Sequence, residues 1–85
     1  MLKDPQLVAL GGKIRALRKE RGFTQEAFAD HAELDRAYYG SVERGERNIA
    51  VINLLKIARG LEVQVGELFP VLHFRRRKSN PIEHY

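Results

Sequence analysis

The sequence contains no cysteine and no long apolar segment. Without cysteine the chain forms no disulfide and no cysteine-based zinc or iron–sulfur site, and nothing indicates an oxidising compartment. No apolar run approaches the roughly 18 residues that a membrane-spanning helix needs, and residues 1–13 lack the apolar core of a signal peptide. These absences predict a soluble, cytoplasmic protein with no membrane association.

Side chains that carry out catalysis or bind metals also lack suitable neighbours in the sequence. His31, His73 and His84 do not have the spacing of metal ligands. Ser41 has neither a nearby histidine nor the glycines of a nucleophile elbow. We therefore expect no enzyme activity, no metal or other cofactor and no small-molecule ligand.

Positive charge is in excess and is unevenly distributed. Fifteen Lys and Arg against eleven Asp and Glu give a net charge of +4 over 85 residues. The positive residues cluster at 13–21, 44–48 and 75–78. Basic clusters favour nucleic acid or an anionic membrane surface, although each cluster alone is also typical of an ordinary solvated helix face or tail.

Capping residues and apolar spacing predict an all-α domain. We expect five helices: a first with its firm part at 12–21, a second beginning at Thr24, a third at 36–44, a fourth at 50–61 and a short fifth at 65–69. No strand, internal repeat or second domain is indicated. The predicted domain occupies residues 1–70, and residues 71–85 form a basic C-terminal extension.

The third predicted helix contains a glycine in its interior. Asp35 is a good N-cap and Gly45 a natural C-terminal stop, but Gly40 lies between them, where glycine costs roughly 1 kcal/mol relative to alanine. Helical spacing places Gly40 on a face of small side chains with Ala37 and Ser41. Gly40 is either kept so that a polyanion can approach this face or is simply tolerated on an exposed surface.

Four segments together resemble a known family: IRALRKERGFTQEAFAD, YYGSVERGERN, LLKIARGLEV and GELF. In this order and spacing they are similar to the XRE-like helix-turn-helix family of the lambda and 434 repressors and Cro. The resemblance extends from Gly12 to Phe69, and the chain also resembles the restriction-modification controller proteins of that family in length. It implies a five-helix, lambda-repressor-like domain whose third helix lies in the DNA major groove.

The resemblance also implies roles for individual residues. Residues expected to face base edges are Arg36, Ala37 and Ser41. Residues expected to contact the DNA backbone are Gln25, Tyr38, Arg44, Arg47 and Asn48. Arg18 and Glu43 are expected to form a structural ion pair. Arg36 is the principal expected reader, because a guanidinium can donate two hydrogen bonds to guanine, the alternative being a phosphate contact.

Three positions depart from the family pattern, and one of them is Ile49, which replaces a usual Pro. Glu33 stands where the family usually has the glycine of the turn, so the corner either holds a non-glycine residue at positive φ or is built differently. Ala50 replaces a usual Ser or Thr cap, which leaves the start of the fourth helix uncertain.

The resulting functional prediction is a sequence-specific, double-stranded-DNA-binding transcriptional regulator that acts as a homodimer on a roughly palindromic operator. The predicted dimer interface contains Ile52, Val65, Phe69 and Leu72. Ile52 motivates this location, because it lies off the apolar stripe that we expect to face the core, formed by Val51, Leu54, Leu55, Ala58 and Leu61. The alternative is an antitoxin-like protein-interaction module with the same fold, suggested by the apolar FPVLHF segment before RRRK. RNA binding is less favoured, because no aromatic stacking platform is evident.

Overall fold

The structure of the protein is a computed structural model that describes residues 3–70. The predicted basic extension, with the predicted interface residue Leu72, lies outside the described residues. The described chain forms four α-helices and one 3-10 helix: Pro5–Glu20 (α1), Gln25–His31 (α2), Arg36–Glu43 (α3), Val51–Leu61 (α4) and the 3-10 helix Val65–Leu68. The predicted all-α class is confirmed, and residues 3–70 contain no strand.

The prediction of five helices is wrong, because in place of the fifth α-helix expected at 65–69 the chain forms only a single 3-10 turn, Val65–Leu68. A proline disfavours helical backbone in the residue before it. Phe69, which precedes Pro70, is accordingly extended, at φ −86° and ψ 126°. Gln64 and Glu67 cap the turn reciprocally, each side chain bonding to the backbone of the other residue.

α1 begins at a capping aspartate followed by a proline. The Asp4 side chain accepts a hydrogen bond from the backbone N–H of Gln6 at 2.8 Å, and Pro5 occupies the first turn. The looser start that we expected before Gly12 is not observed, since α1 is continuous from Pro5 to Glu20.

The packing of Gly11 against α3 is the reason that α1 remains helical through two glycines. A Cβ at this position would overlap the backbone carbonyls of Val42 and Glu43 in α3. The absent side chain lets the two helix backbones approach closely, and the resulting packing outweighs the poor helix propensity of glycine. α3 is thereby held directly against α1.

α2 begins at the capping residues expected from the sequence. Thr24 Oγ1 accepts a hydrogen bond from Ala27 N at 3.1 Å. The Phe23 ring meets the Phe28 ring edge-on, with centroids 5.3 Å apart, and the two rings form a hydrophobic staple. The staple directs the chain from α1 into the helix-turn-helix.

The corner between α2 and α3 contains a residue with left-handed backbone. Glu33 has φ 60°, the first of the two alternatives for this position. Asp35 then caps α3 by accepting a hydrogen bond from Tyr38 N at 2.9 Å. Gly45 follows α3 with φ 73° and packs directly on the backbone of Val8 in α1.

α4 presents apolar side chains on two sides rather than on one. Leu54, Ala58 and Leu61 are buried, as expected. Val51 and Leu55 are exposed, which differs from the predicted stripe. The start of α4 at Ala50 has no side-chain cap.

One apolar core connects all of these elements. Its buried members are Leu10, Ile14, Phe28, Ala29, Ala32, Tyr39, Val42, Leu54, Ile57, Ala58, Leu61 and Leu68. α3 contributes its second half to this core, so its first turn remains at the surface.

Candidate nucleic-acid interface

α3 exposes only its N-terminal turn to solvent. Arg36 and Ala37 are exposed, Tyr38 is half-buried and residues 39–43 are buried. This turn shares a shallow cleft with side chains from α2 and from the end of α3. The cleft is lined by Gln25, Asp35, Arg36, Ala37, Gly40 and Arg44. The structure thus brings together four of the residues that were expected to contact DNA.

Gly40 and Ser41 do not form an open, flat surface. A Cβ on Gly40 would lie 3.2 Å from both Arg44 Nη1 and Gln25 Oε1, so these two side chains cover the glycine. Ser41 is only 6% exposed, and its hydroxyl donates to the Tyr38 carbonyl at 2.6 Å. The missing side chain of Gly40 therefore makes room for Gln25 and Arg44, and the base contact of Ser41 stays a prediction.

Arg36 is the most accessible cation of the cleft. Its Nε lies 3.8 Å from Glu26 Oε2, and both side chains are largely exposed. An exposed pair of this kind contributes at most about 1 kcal/mol. Arg36 can consequently exchange Glu26 for a base or a phosphate at little cost.

A second group of charges lies in the loop after α3. Arg44 Nε donates to Glu46 Oε1 at 3.1 Å, and the Lys3 ammonium lies 3.6 Å from the same carboxylate. The hydrogen bond from Arg44 holds the pKa of the Glu46 carboxyl below its usual range. Arg47 and Asn48 follow in this loop and are exposed. The loop therefore offers cations beside the exposed turn of α3.

Tyr38 connects this loop to α4. The Arg47 guanidinium lies over the Tyr38 ring, 5.8 Å from its centroid, within the range of a cation–π contact. The Tyr38 hydroxyl accepts a hydrogen bond from Asn53 Nδ2 at 3.1 Å. The ring is therefore held from two sides.

Arg18 and Glu43, the residues expected to pair, lie together beneath this surface. Arg18 Nε donates to Glu43 Oε2 at 2.6 Å and Arg18 Nη2 to Oε1 at 3.1 Å, and both side chains are buried. Arg18 also donates to the Phe23 carbonyl at 2.7 Å. This bidentate pair ties α1 to the end of α3.

The same carboxylate accepts two further hydrogen bonds. The Tyr39 hydroxyl donates to Glu43 Oε2, and Gln25 Nε2 donates to Oε1 at 3.1 Å. Burial raises the pKa of Glu43, but the hydrogen bonds from Arg18, Tyr39 and Gln25 outweigh it and hold that pKa below its usual value. Burial raises the pKa of Tyr39, so this hydroxyl remains a donor. Gln25, an expected phosphate contact, is thus fixed by the buried pair.

Three of the four predicted dimerisation residues fall within residues 3–70 and lie on another part of the surface. Ile52 is 63% exposed, and Val65 and Phe69 are also exposed. Val51, 71% exposed, and Leu55 are two further exposed apolar residues of α4, although the sequence pattern had placed both on the core stripe. We refer to Val51, Ile52, Leu55, Val65 and Phe69 as the apolar strip.

Two other kinds of site are not found in the described part of the chain. Among residues 3–70, no three His, Asp or Glu side chains lie close enough to hold a metal ion. His31 instead stacks on the Phe23 ring, with centroids 5.0 Å apart. None of the described helices has both the length and the apolar character to cross a membrane.

Comparison with known proteins decides the family. Residues 14–68 match the helix-turn-helix family HTH_3. The control protein C.MunI from Mycoplasma sp is 46% identical over 63 residues, which cover 73% of this chain and 85% of that protein. The chain belongs to the helix-turn-helix family. This membership confirms the predicted family and identifies a DNA-binding transcriptional regulator rather than an enzyme.

The backbone fold of this helix-turn-helix protein is also similar to that of solved structures. The restriction-modification controller protein C.AhdI from Aeromonas hydrophila is 46% identical, with a TM-score of 0.72 over 74% of this chain and 96% of that one. SinR, a master regulator for biofilm formation solved in complex with DNA, is 32% identical, with a TM-score of 0.67 over 69% of this chain and 95% of that one.

Three residues of the interface region were not found by sequence reasoning. Lys3 donates to the Arg44 carbonyl at 3.0 Å, and Glu46 accepts from Arg44. Asn53 reaches Tyr38 from the next helix of the helix-turn-helix protein. The only sequence signal for Asn53 is a polar residue inside the apolar segment VINLL.

Proposed function

We propose that the protein is a sequence-specific transcriptional regulator that binds a roughly palindromic operator as a homodimer, with α3 in the major groove. The observation that carries the proposal is the exposed N-terminal turn of α3, with Arg36 and Ala37 at its surface and Gln25 and Arg44 beside it. A recognition helix reads bases from this end. The cytoplasmic location expected from the sequence is part of the same proposal.

Within this proposal the residues expected to contact DNA divide into two groups. Arg36, Ala37 and Ser41 contact bases, and Arg36 contributes the largest discrimination, about 1–3 kcal/mol for a bidentate contact to guanine. The group that contacts the backbone comprises Gln25, Tyr38, Arg44, Arg47 and Asn48. Backbone contacts of this kind fix the position of the protein on the duplex without reading the sequence.

The apolar strip supports a second copy of the chain as partner. Val51, Ile52 and Leu55 are spaced i, i+1 and i+4 and so lie on one side of α4, next to the side that carries its buried residues. A monomer gains nothing by exposing five large apolar side chains on α4 and the segment that follows it, and exposed apolar surface of this size usually marks an interaction site. We infer that α4 and the 3-10 helix pair with the same elements of a second chain.

A controller role in a restriction-modification system is the most specific form of the proposal. It is supported by the similarity to C.MunI and C.AhdI, which are a control protein and a restriction-modification controller protein. The antitoxin-like alternative is not favoured, because the family match and both of these relatives are of the regulator type.

The decisive experiment is a titration of labelled random-sequence duplex, followed by selection from a random duplex library. A regulator binds random duplex with an affinity that falls steeply between about 50 and 200 mM salt, because phosphate contacts release counterions. Selection is expected to recover two inverted half-sites about one helical turn apart. Absence of salt-dependent binding would favour the protein-interaction module, and selection of a single half-site would contradict the palindromic operator.

A further inference from the structure

The Tyr38 side chain is held by contacts from the two segments that follow α3 in the chain. The tyrosine belongs to α3, Arg47 over its ring belongs to the following loop, and Asn53 at its hydroxyl belongs to the first turn of α4. The Tyr38 backbone is fixed as well, because its N–H donates to Asp35 and its carbonyl accepts from Ser41. The position of the ring relative to the rest of α3 is therefore determined.

The direction of the Asn53 hydrogen bond determines what the hydroxyl can still do. A phenol has one proton to donate, and its oxygen can also accept. Asn53 Nδ2 donates to that oxygen at 3.1 Å, so the proton of Tyr38 is not used in this bond. Arg47 has only donors and cannot accept the proton. Among the described residues, the Tyr38 hydroxyl donates to no side chain or backbone group.

A phosphate oxygen is the acceptor that suits this proton. Phosphate carries only acceptors, so a contacting side chain must donate, and a hydrogen bond to a charged group is stronger than one between neutral groups. The Arg47 cation beside the ring also favours an anion at this place.

We propose that Asn53 is a positioning residue, which donates to the Tyr38 hydroxyl so that its proton is directed to a DNA phosphate. The inference rests on the proposed function, because it specifies how one of the expected backbone contacts is made. Asn53 is half-buried, and asparagine is a poorer helix former than the leucines near it in α4. Helix propensity therefore does not explain the presence of Asn53 at this position, whereas its hydrogen bond to Tyr38 does.

The test is a double-mutant cycle on binding to the operator duplex recovered by selection. Tyr38→Phe removes the proton and is expected to weaken binding about tenfold per half-site, as loss of a hydrogen bond to a charged group does. Asn53→Ala is expected to weaken binding roughly threefold, because the hydroxyl is no longer oriented. The double variant is expected to bind like Tyr38→Phe, since Asn53 acts only through the hydroxyl.

Asn53→Asp separates orientation from simple packing. It keeps the side-chain shape but replaces the donor with acceptors, so Tyr38 donates to residue 53 and loses the proton for phosphate. Its affinity is expected to be below that of Asn53→Ala. The carboxylate also repels phosphate, so the same substitution is measured in the Tyr38→Phe background, where only repulsion remains and the loss is smaller.

Three outcomes would overturn the inference. The first is that Asn53→Ala binds the operator as tightly as the parent. The second is that Asn53→Ala weakens binding as much when residue 38 is Phe as when it is Tyr. The third is that the loss of affinity caused by Asn53→Asp is the same with Tyr or Phe at position 38. Thermal unfolding of each variant is measured in parallel, and Asn53→Leu, which keeps the number and branching of the side-chain heavy atoms, replaces Asn53→Ala if that variant unfolds. Failure of the parent to bind duplex in a salt-dependent manner refutes the proposed function itself, and the two failures are thereby distinguished.

Discussion

The Glu43 carboxylate accepts hydrogen bonds from Arg18, Tyr39 and Gln25. A buried charge is tolerated only when it is paired and its lone pairs are satisfied, and no buried side-chain polar atom of the described residues lacks a partner. Removing one member leaves the others buried without compensation. Each residue of this cluster is therefore needed to keep the others satisfied, and a single substitution is enough to destabilise it.

Glu43→Ala is expected to lower the free energy of unfolding by about 3–5 kcal/mol, because Arg18 remains buried without its partner. Chemical denaturation monitored by circular dichroism measures the loss. Glu46→Ala is the matched control: its carboxylate lies at the surface with Arg44, so this variant is expected to unfold like the parent. A Glu43→Ala variant that melts like the parent but fails to bind DNA would contradict the structural role.

The lowered pKa of Glu43 also predicts how stability depends on pH. Because the pKa of Glu43 is lower in the folded than in the unfolded state, the unfolded chain binds more protons in acid. The free energy of unfolding therefore decreases as the pH is lowered. The contribution of Glu43 is fully present above its unfolded pKa of roughly 4.3 and is lost as pH falls through the folded value. Unfolding free energies measured between about pH 6 and pH 3 are expected to fall less steeply for Glu43→Gln than for the parent. Equal slopes would show that other carboxylates account for the acid sensitivity.

Two arginines at the surface, Arg36 and Arg47, are expected to make different kinds of contact with DNA. Arg36→Ala is expected to relax base preference at one position per half-site, whereas Arg47→Ala weakens binding to all sequences alike and lowers the salt slope by about 1. Titrations of operator and single-base variants at several salt concentrations test both. Arg59→Ala removes the same charge at the far end of α4, in a separate cleft with His31, and serves as control. If Arg36→Ala and Arg47→Ala both shift affinity uniformly, the division into readers and backbone contacts is wrong.

At the scale of elements, the approach of α1 to α3 determines where the exposed turn of α3 lies. Gly11 permits that approach, because its missing side chain leaves room for two carbonyl groups of α3. Gly12, the next residue, has no neighbouring atom within 4 Å of where a Cβ would be. The two adjacent glycines therefore have different roles in the same helix.

Gly11→Ala is expected to destabilise the protein, because the new methyl group overlaps backbone atoms that cannot move without displacing α3. The expected cost is about 1–3 kcal/mol. Gly12→Ala introduces the same group into open space and is expected to stabilise α1 by roughly 0.5–1 kcal/mol, since alanine is the better helix former. Thermal and chemical unfolding compare the two variants. A stabilising Gly11→Ala would contradict the close crossing of α1 and α3.

Local capping signals account for the elements that could be predicted from the sequence. Thr24 and Asp35 cap α2 and α3 through bonds within a few residues, so the sequence around them contains the necessary information. The roles of Gly11 and Asn53 depend on residues far away in the chain, and no local pattern indicates them. The exposure of Val51 was missed for the same reason, because helical spacing places an apolar face but does not say whether the chain itself covers it.

At the scale of the whole molecule, one copy of the domain is too small for the task proposed for it. A single recognition helix discriminates only a few base pairs, whereas a regulator competes with about 10⁶ or more non-specific sites in a genome. In the proposed dimer, the two α3 helices would have to lie about 34 Å apart to match one turn of duplex. The apolar strip is the part of the described surface suited to join them, because its five large side chains are exposed in the single chain.

Ile52→Asp tests this assembly, because a charge in the middle of the apolar strip cannot be buried against a second copy without a partner. Sedimentation at micromolar concentration is expected to show a dimeric parent and a folded, monomeric variant. Val8→Asp is the control: Val8 is another exposed apolar residue, but its side chain lies beside Gly45 rather than in the strip, and the variant is expected to remain dimeric. An equally dimeric Ile52→Asp would place the interface elsewhere. A monomeric parent would refute the two-fold operator, because only paired α3 helices give inverted half-sites one turn apart.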